Sequence, residues 1–152
     1  MFLLAEQYYE TSRFLEETTK NEKWNAPRLM VDSFAVELYL KCLFVMDVNA
    51  APPAKHDWLE LFDLLGSHTK EAIREEFRHS INSHPVLSNL NVINPAAVKF
   101  TDFASSLAAA KDTFHKGRYA YESQLTDQWF YAHLLRDAIR TVTKMDLRIA
   151  NC

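Results

Sequence analysis

The sequence predicts an all-α fold, an up-and-down bundle of four to five long helices with short helices between them. Three observations carry this expectation. Apolar residues recur three and four apart over several long segments. Glycine is scarce, with two residues against five prolines, too few turn formers for a sandwich of many short strands. The connections between the long segments are mostly short, which favours antiparallel neighbours. An irregular helical array is the other arrangement that the same segments allow. The 152 residues suit one domain, 1–152, and 48% hydrophobic with 24% charged residues excludes wholesale disorder.

The first helix is expected over Phe2 to Lys20, where Leu4, Tyr8, Thr11 and Leu15 share a face. Asn25 can cap the second helix, with Pro27 in its first turn. That helix runs to about Asp47 and is apolar around almost its whole circumference, so it should be the central, buried one. Pro52 and Pro53 mark a loop. Asp57 and Glu60 then form a capping-box pattern before Trp58, Leu61, Phe62 and Leu65, and Gly66 is placed to end this short helix as a C′ residue.

A fourth helix over Thr69 to Asn82 has only the narrow stripe Ile73, Phe77 and Ile81, so it should lie on the surface. Residues 83–94 show no clean period and read as a loop. Asn94-Pro95 reads as the start of a fifth helix that continues to Lys116 and is closed by Gly117. Arg118 to Glu122 reads as an extended link. The last helix covers Leu125 to Ala150, with Phe130, Leu134, Ala138, Val142, Met145 and Ile149 on one side. Trp58, Leu61, Phe34, Leu38, Phe130 and Leu134 are expected to share one core.

Composition narrows the function. A net charge of −3 argues against nucleic-acid binding over the whole surface, though not against a local basic patch. Two cysteines, Cys42 in an apolar helical run and Cys152 at the end, suggest no disulfide framework, and a reducing cytoplasm is the expected compartment. Leu38 to Val48 is the most apolar stretch, but Lys41 and Asp47 interrupt it and it is too short to span a bilayer. No membrane association is expected.

Metal and cofactor chemistry have little to build on. Glu76-x-x-His79 is a single copy where a di-iron bundle needs two, and no Cys/His spacing suits zinc. Both glycines are isolated, so no phosphate loop is present. The expectation is no metal and no cofactor. Cys42 reads as a small core residue.

Two charged features stand out. Glu37 and Lys41 lie four apart in the apolar second helix, in the favourable order for a helical pair. They occupy either one exposed edge of that helix or a polar cluster set into the bundle. Arg136, Arg140, Lys144 and Arg148 repeat every four residues on the last helix, and Lys111, His115, Lys116 and Arg118 gather around the end of the fifth. Such a face could contact phosphate, or could be an ordinary solvated helix surface.

Three segments, AVELYLKCLF from Ala35, KHDWLELFDLL from Lys55 and FHKGRYAYE from Phe114, resemble the HEPN superfamily, the higher eukaryotes and prokaryotes nucleotide-binding domain. Glu37, Lys41, His56, Asp57, Arg118, Tyr119, Tyr121 and Glu122 match its pattern in order and approximate spacing, over nearly the whole chain. The resemblance implies a dimeric bundle from a toxin–antitoxin or phage-defence system, sometimes paired with a nucleotidyltransferase-type partner protein. It implies two branches, one cleaving RNA without metal and one binding nucleotide or RNA. The cleaving branch carries Arg-x4–6-His late in the domain. Here the matching strings are Arg74-x4-His79 and Arg78-x5-His84, both near the fourth helix, and a motif this loose arises by chance about once in such a chain. Arg118, Arg136 and Arg140 have no histidine at the permitted spacing.

The expected function is therefore a homodimeric module that binds a nucleotide or RNA and has no ribonuclease activity. Its expected polar cluster is Glu37, Lys41, His56, Arg118, Tyr119 and Glu122, with phosphate contacts from Lys111, His115, Lys116, Arg136 and Arg140. The alternatives are an active metal-independent ribonuclease using His79 or His115, and a purely structural partner-binding module.

Overall fold

The computed structural model describes residues 1–18, 25–84, 102–110 and 129–150. They form six α-helices and no strand: α1 Phe2–Thr18, α2 Asn25–Val48, α3 Trp58–Asp63, α4 Ser67–Ser83, α5 Phe103–Ala110 and α6 Trp129–Ala150. None of them is long and apolar enough to cross a membrane. The loop expected over 83–94, the Asn94-Pro95 start and the link at Arg118 to Glu122 lie outside the described residues, apart from Ser83 and His84 at the end of α4.

Helix α2 is the hub, packed against α1, α3 and α6, while α4 and α5 pack against α6. Leu29, Ala35, Val36, Tyr39, Leu40, Cys42 and Leu43 of α2 are all buried, as its all-round apolar pattern requires. Tyr8 of α1 stacks on Phe34 of α2, and Phe2 of α1 meets Tyr39 of α2. These contacts ascend along one helix as they descend along the other, so α1 and α2 are antiparallel. Phe103 of α5 joins the remaining layers, touching Phe62 of α3 and Phe77 of α4 with ring centroids 4.7 and 5.5 Å apart.

Trp58, Leu61 and Leu134 share one core, and Leu38 packs against its edge. Phe34 is only half-buried, and the side chain of Phe130 is outside the described residues. Met145, expected on the buried face of the last helix, is 51% exposed. That face is instead formed by Leu135, Ala138, Ile139 and Val142, with Leu134 at its margin.

The helix ends follow local chemistry, with three departures from expectation. Asp57 caps α3, its Oδ1 accepting the N–H groups of Leu59 and Glu60 at 2.8 and 3.1 Å. Glu60 does not complete the box but pairs with Lys55. Gly66 is the N-cap of α4 with φ −62°, not a left-handed C′ residue. Its value is closeness: its N–H donates to Asp47 Oδ2 at 2.7 Å, and a Cβ there would lie 3.3 Å from that oxygen. Asp47 Oδ1 also accepts from Thr69 Oγ1, so the end of α2 caps the start of α4. The left-handed C′ position belongs to Asn49, with φ 52° and its N–H on the Val45 carbonyl. The third departure is α5, whose first residue is Phe103, where the sequence predicts one helix running through this position; residues 95–101 and 111–116 of that expected helix lie outside the described residues. Asp102 is its cap, accepting from Ser105 N–H at 2.9 Å, and hydrogen bonds from the Ser105 side chain and backbone hold its carboxyl below the ordinary range.

Because the Asp57 cap is the only side-chain cap of α3, Asp57→Ala is expected to lower stability by about 1 kcal/mol in chemical denaturation, whereas Asp57→Asn costs less.

Candidate functional site

Glu37, Lys41 and His56 come together. Lys41 Nζ lies 2.7 Å from Glu37 Oε1, one turn along α2, and His56 Nδ1 reaches the same oxygen at 3.0 Å from the loop before α3. Glu37 and Lys41 side chains are 16% and 12% exposed, whereas His56 is 77% exposed. The pair therefore sits at a nearly covered edge of α2, with an open imidazole laid over it. An ionised carboxylate only accepts, so Nδ1 carries the proton in this contact and Nε2 faces away from Glu37. Asp57, directly after His56, fixes the loop by capping α3, which is how the imidazole is brought to α2.

Arg118, Tyr119 and Glu122, expected in the same cluster, lie outside the described residues, as do Lys111, His115 and Lys116.

The basic stripe of the last helix turns inward. Arg136 is 1% exposed, and its Nη1 donates to Asp32 Oδ1 of α2 at 2.6 Å and to Ser12 Oγ of α1 at 2.9 Å. Its Nε bonds Asp137 at 2.8 Å. Burial alone would lower the pKa of this guanidinium, but Asp32 and Asp137 push it above its ordinary value. Arg140, one turn on, makes a two-pronged contact with Glu6 of α1, Nε to Oε1 at 2.8 Å and Nη2 to Oε2 at 2.9 Å. Lys144 Nζ is 2.9 Å from the same carboxylate, and the Tyr39 hydroxyl donates to it. Both guanidiniums lie over the ring of Tyr9, at 4.7 Å for Arg136 and 3.7 Å for Arg140.

Arg136 and Arg140, expected as phosphate contacts, are thus both engaged with carboxylates inside the molecule. At Arg136 the stripe faces the interior, and at Arg140 it lies on a partly covered edge. It is a ladder that joins α6 to α1 and α2, and Asp32, Ser12 and Glu6 are the partners sequence reading did not single out. The available signal was Asp32 and Ser33 within the most apolar helix, since a buried carboxylate requires a cation.

Burial would raise the pKa of Glu6, but hydrogen bonds from Arg140, Tyr39 and Lys144 outweigh it and bring the value down to about 2. The Tyr39 phenol moves the other way, raised by burial and by Glu6. Burial pushes the Cys42 thiol up to about 11, which makes it a poor nucleophile at neutral pH.

On α4, Arg74 and Arg78 pair with Glu71 and Glu75 on the exposed surface, and Arg74 also lies 5.4 Å over the Phe62 ring. His79 is exposed too. Among the described residues, no group of three or more His, Cys, Asp or Glu could hold a metal ion.

No family model, no curated protein and no solved structure matches this chain.

Asp32→Ala leaves Arg136 buried without its main counter-ion and is expected to destabilise by about 3–5 kcal/mol in urea unfolding. Replacing both, as Asp32→Leu with Arg136→Met, should recover most of that loss.

Glu6 supplies a pH signature. Its folded pKa lies below its ordinary value of 4.5, so its contribution is complete above about pH 5 and fades as pH falls toward 2. Glu6→Gln should destabilise by about 2–3 kcal/mol at neutral pH, and denaturation curves should show this difference shrinking below pH 4.5.

Proposed function

We propose that this chain is a HEPN-like up-and-down bundle that binds a nucleotide or an RNA phosphate group and does not cleave RNA. The reading includes a toxin–antitoxin or phage-defence setting and a nucleotidyltransferase-type partner protein, both implied by the resemblance alone. The observation that carries it is the convergence of Lys41 and His56 on one oxygen of Glu37, from two separate elements, with the imidazole open to solvent. These are three of the positions at which the chain resembles that family. Glu37 neutralises Lys41 and orients His56, so the outward-facing group available to a ligand is the imidazole. Arg118 and Tyr119, next to Gly117 in sequence, are assigned to the same ligand, and Glu122 to pairing with Arg118.

The raised thiol pKa of Cys42 and the pairing of Arg74 and Arg78 with neighbouring glutamates favour binding over catalysis. A second reading, a structural module that only binds a partner protein, draws on the inward turn of Arg136 and Arg140, which removes two cations from the outer surface.

Titration with a nucleoside triphosphate and with short single-stranded RNA tests the proposal. Saturable binding is expected, weakened about tenfold by His56→Ala or Arg118→Ala, each of which removes a phosphate-contacting group. Absence of binding to both probes sinks the reading and leaves the structural module. Incubation with total RNA, with and without chelator, should leave the RNA intact. Cleavage that persists with chelator and is lost in His79→Ala or His115→Ala would replace binding by ribonuclease activity.

A further inference from the structure

His56 is held differently from the other exposed histidines among the described residues. Its side chain is 77% exposed, yet its Nδ1 lies 3.0 Å from Glu37 Oε1. His68 and His79 are exposed as well, but among the described residues no carboxylate comes within ion-pair distance of either ring.

This contact decides which ring nitrogen can react. A neutral imidazole has one protonated nitrogen and one with a lone pair in the ring plane. The ionised Glu37 carboxylate only accepts, so the proton stays on Nδ1 and the lone pair is on Nε2, away from Glu37. A carboxylate behind Nδ1 fixes that tautomer and stabilises the positive charge the ring gains when Nε2 forms a bond. A bare carboxylate would also repel an anionic reactant. Here Lys41 Nζ holds the same Oε1 at 2.7 Å and offsets its charge. One oxygen thus orients the nucleophile while its own field is screened. Pro52, Ala54 and Lys55 of the same loop are exposed, so the approach to the ring is open to a second macromolecule. An acyl group on so exposed an imidazole is lost quickly to water. A phosphoryl group is retained longer, because its anionic oxygens repel hydroxide.

We infer that His56 is a phosphorylation site: its Nε2 accepts a phosphoryl group from a phosphoramidate donor, with Glu37 holding Nδ1–H and Lys41 screening Glu37. The Nε2 lone pair forms the new N–P bond. The donor's P–N bond breaks, and its electron pair leaves with the donor nitrogen, which takes a proton from solvent. Nδ1 keeps its proton, so Glu37 remains ionised throughout. One N–P bond replaces another, and no further source of energy is required. The inference goes beyond the ligand reading, since an N–P bond at His56 forms without a bound nucleotide.

Incubation of the full-length chain with potassium phosphoramidate at neutral pH tests this, read by intact mass, tandem mass spectrometry and phosphorus NMR. The first phosphoryl group is expected on His56 Nε2, at least about tenfold faster than on His68 or His79 of the same sample. The label should be lost in mild acid and kept in mild alkali, as an N–P bond requires. Glu37→Gln keeps the shape of the side chain and removes its charge, and should bring His56 down to the rate of the other two histidines. Should that variant unfold because Lys41 is left unpaired, Glu37→Gln combined with Lys41→Met leaves no charge behind, and the same loss is expected.

His56 reacting no faster than His68 and His79 overturns the inference. So does a label on Nδ1, or a Glu37→Gln chain that reacts at His56 as fast as the wild type. A chain that binds nucleotide but is not phosphorylated at His56 keeps the ligand reading and loses this one. Phosphorylation at His56 in a chain that binds neither nucleotide nor RNA does the reverse.

Discussion

The buried ion pair between Arg136 and Asp32 is the constraint to which the rest of the helix packing conforms. Both side chains are nearly inaccessible, at 1% and 3% exposure, so neither charge can be satisfied by water. Desolvating them costs several kcal/mol each, and only a close, fully hydrogen-bonded geometry offsets that cost. A shift of α6 by one turn along α2 would remove Arg136 from both Asp32 and Ser12. The pair therefore fixes register as well as contributing attraction, and the third helix, α1, is held to the same point by Ser12.

The same logic continues along α6 toward its C-terminal end. Tyr9 lies under both guanidiniums, and Glu6 gathers Arg140, Lys144 and Tyr39. Partners descend along α1 as they ascend along α6, which makes these two helices antiparallel and gives α6 the direction of α2. A polar ladder thus runs through the three-helix junction beside the apolar core. Its cations enter from α6, and its acceptors come from α1, from α2 and, at Asp137, from α6 itself. Arg136, Arg140 and Lys144 each lie within ion-pair distance of a carboxylate of α1 or α2, which offsets their charge.

The second layer is organised differently. Here Phe103 packs between Phe62 and Phe77, and the corner between α3 and α4 is held by Asp47 reaching from the end of α2. Glu37 lies between these two regions, nearly three turns before Asp47, on the edge of α2 that the loop before α3 crosses. His56 is delivered there because Asp57 anchors the loop to the α3 N-terminus. The Glu37, Lys41 and His56 cluster is thus a by-product of two local rules, a helical i, i+4 pair and an N-cap, brought together by the burial of Trp58 and Leu61.

The sequence by itself determined the helical class, the central place of α2, the stripe of Ile73, Phe77 and Ile81 on α4, the Asp57 cap and the Glu37–Lys41 pair. Each depends on neighbours within about one turn of helix, where spacing and side-chain type decide the outcome. Only the tertiary structure decided the rest. Gly66 is equally suited to end one helix or begin the next, and the approach of Asp47 from 19 residues away selected the second role. Arg136, Arg140 and Lys144 have the same spacing on a phosphate-binding face as in a buried ladder. What distinguishes the two is the position of Asp32 and Glu6, 104 and 134 residues away in the chain, and such separations carry no periodic signature. Charge pairing across helices is set by which faces the apolar core brings together, and that is a property of the packed chain.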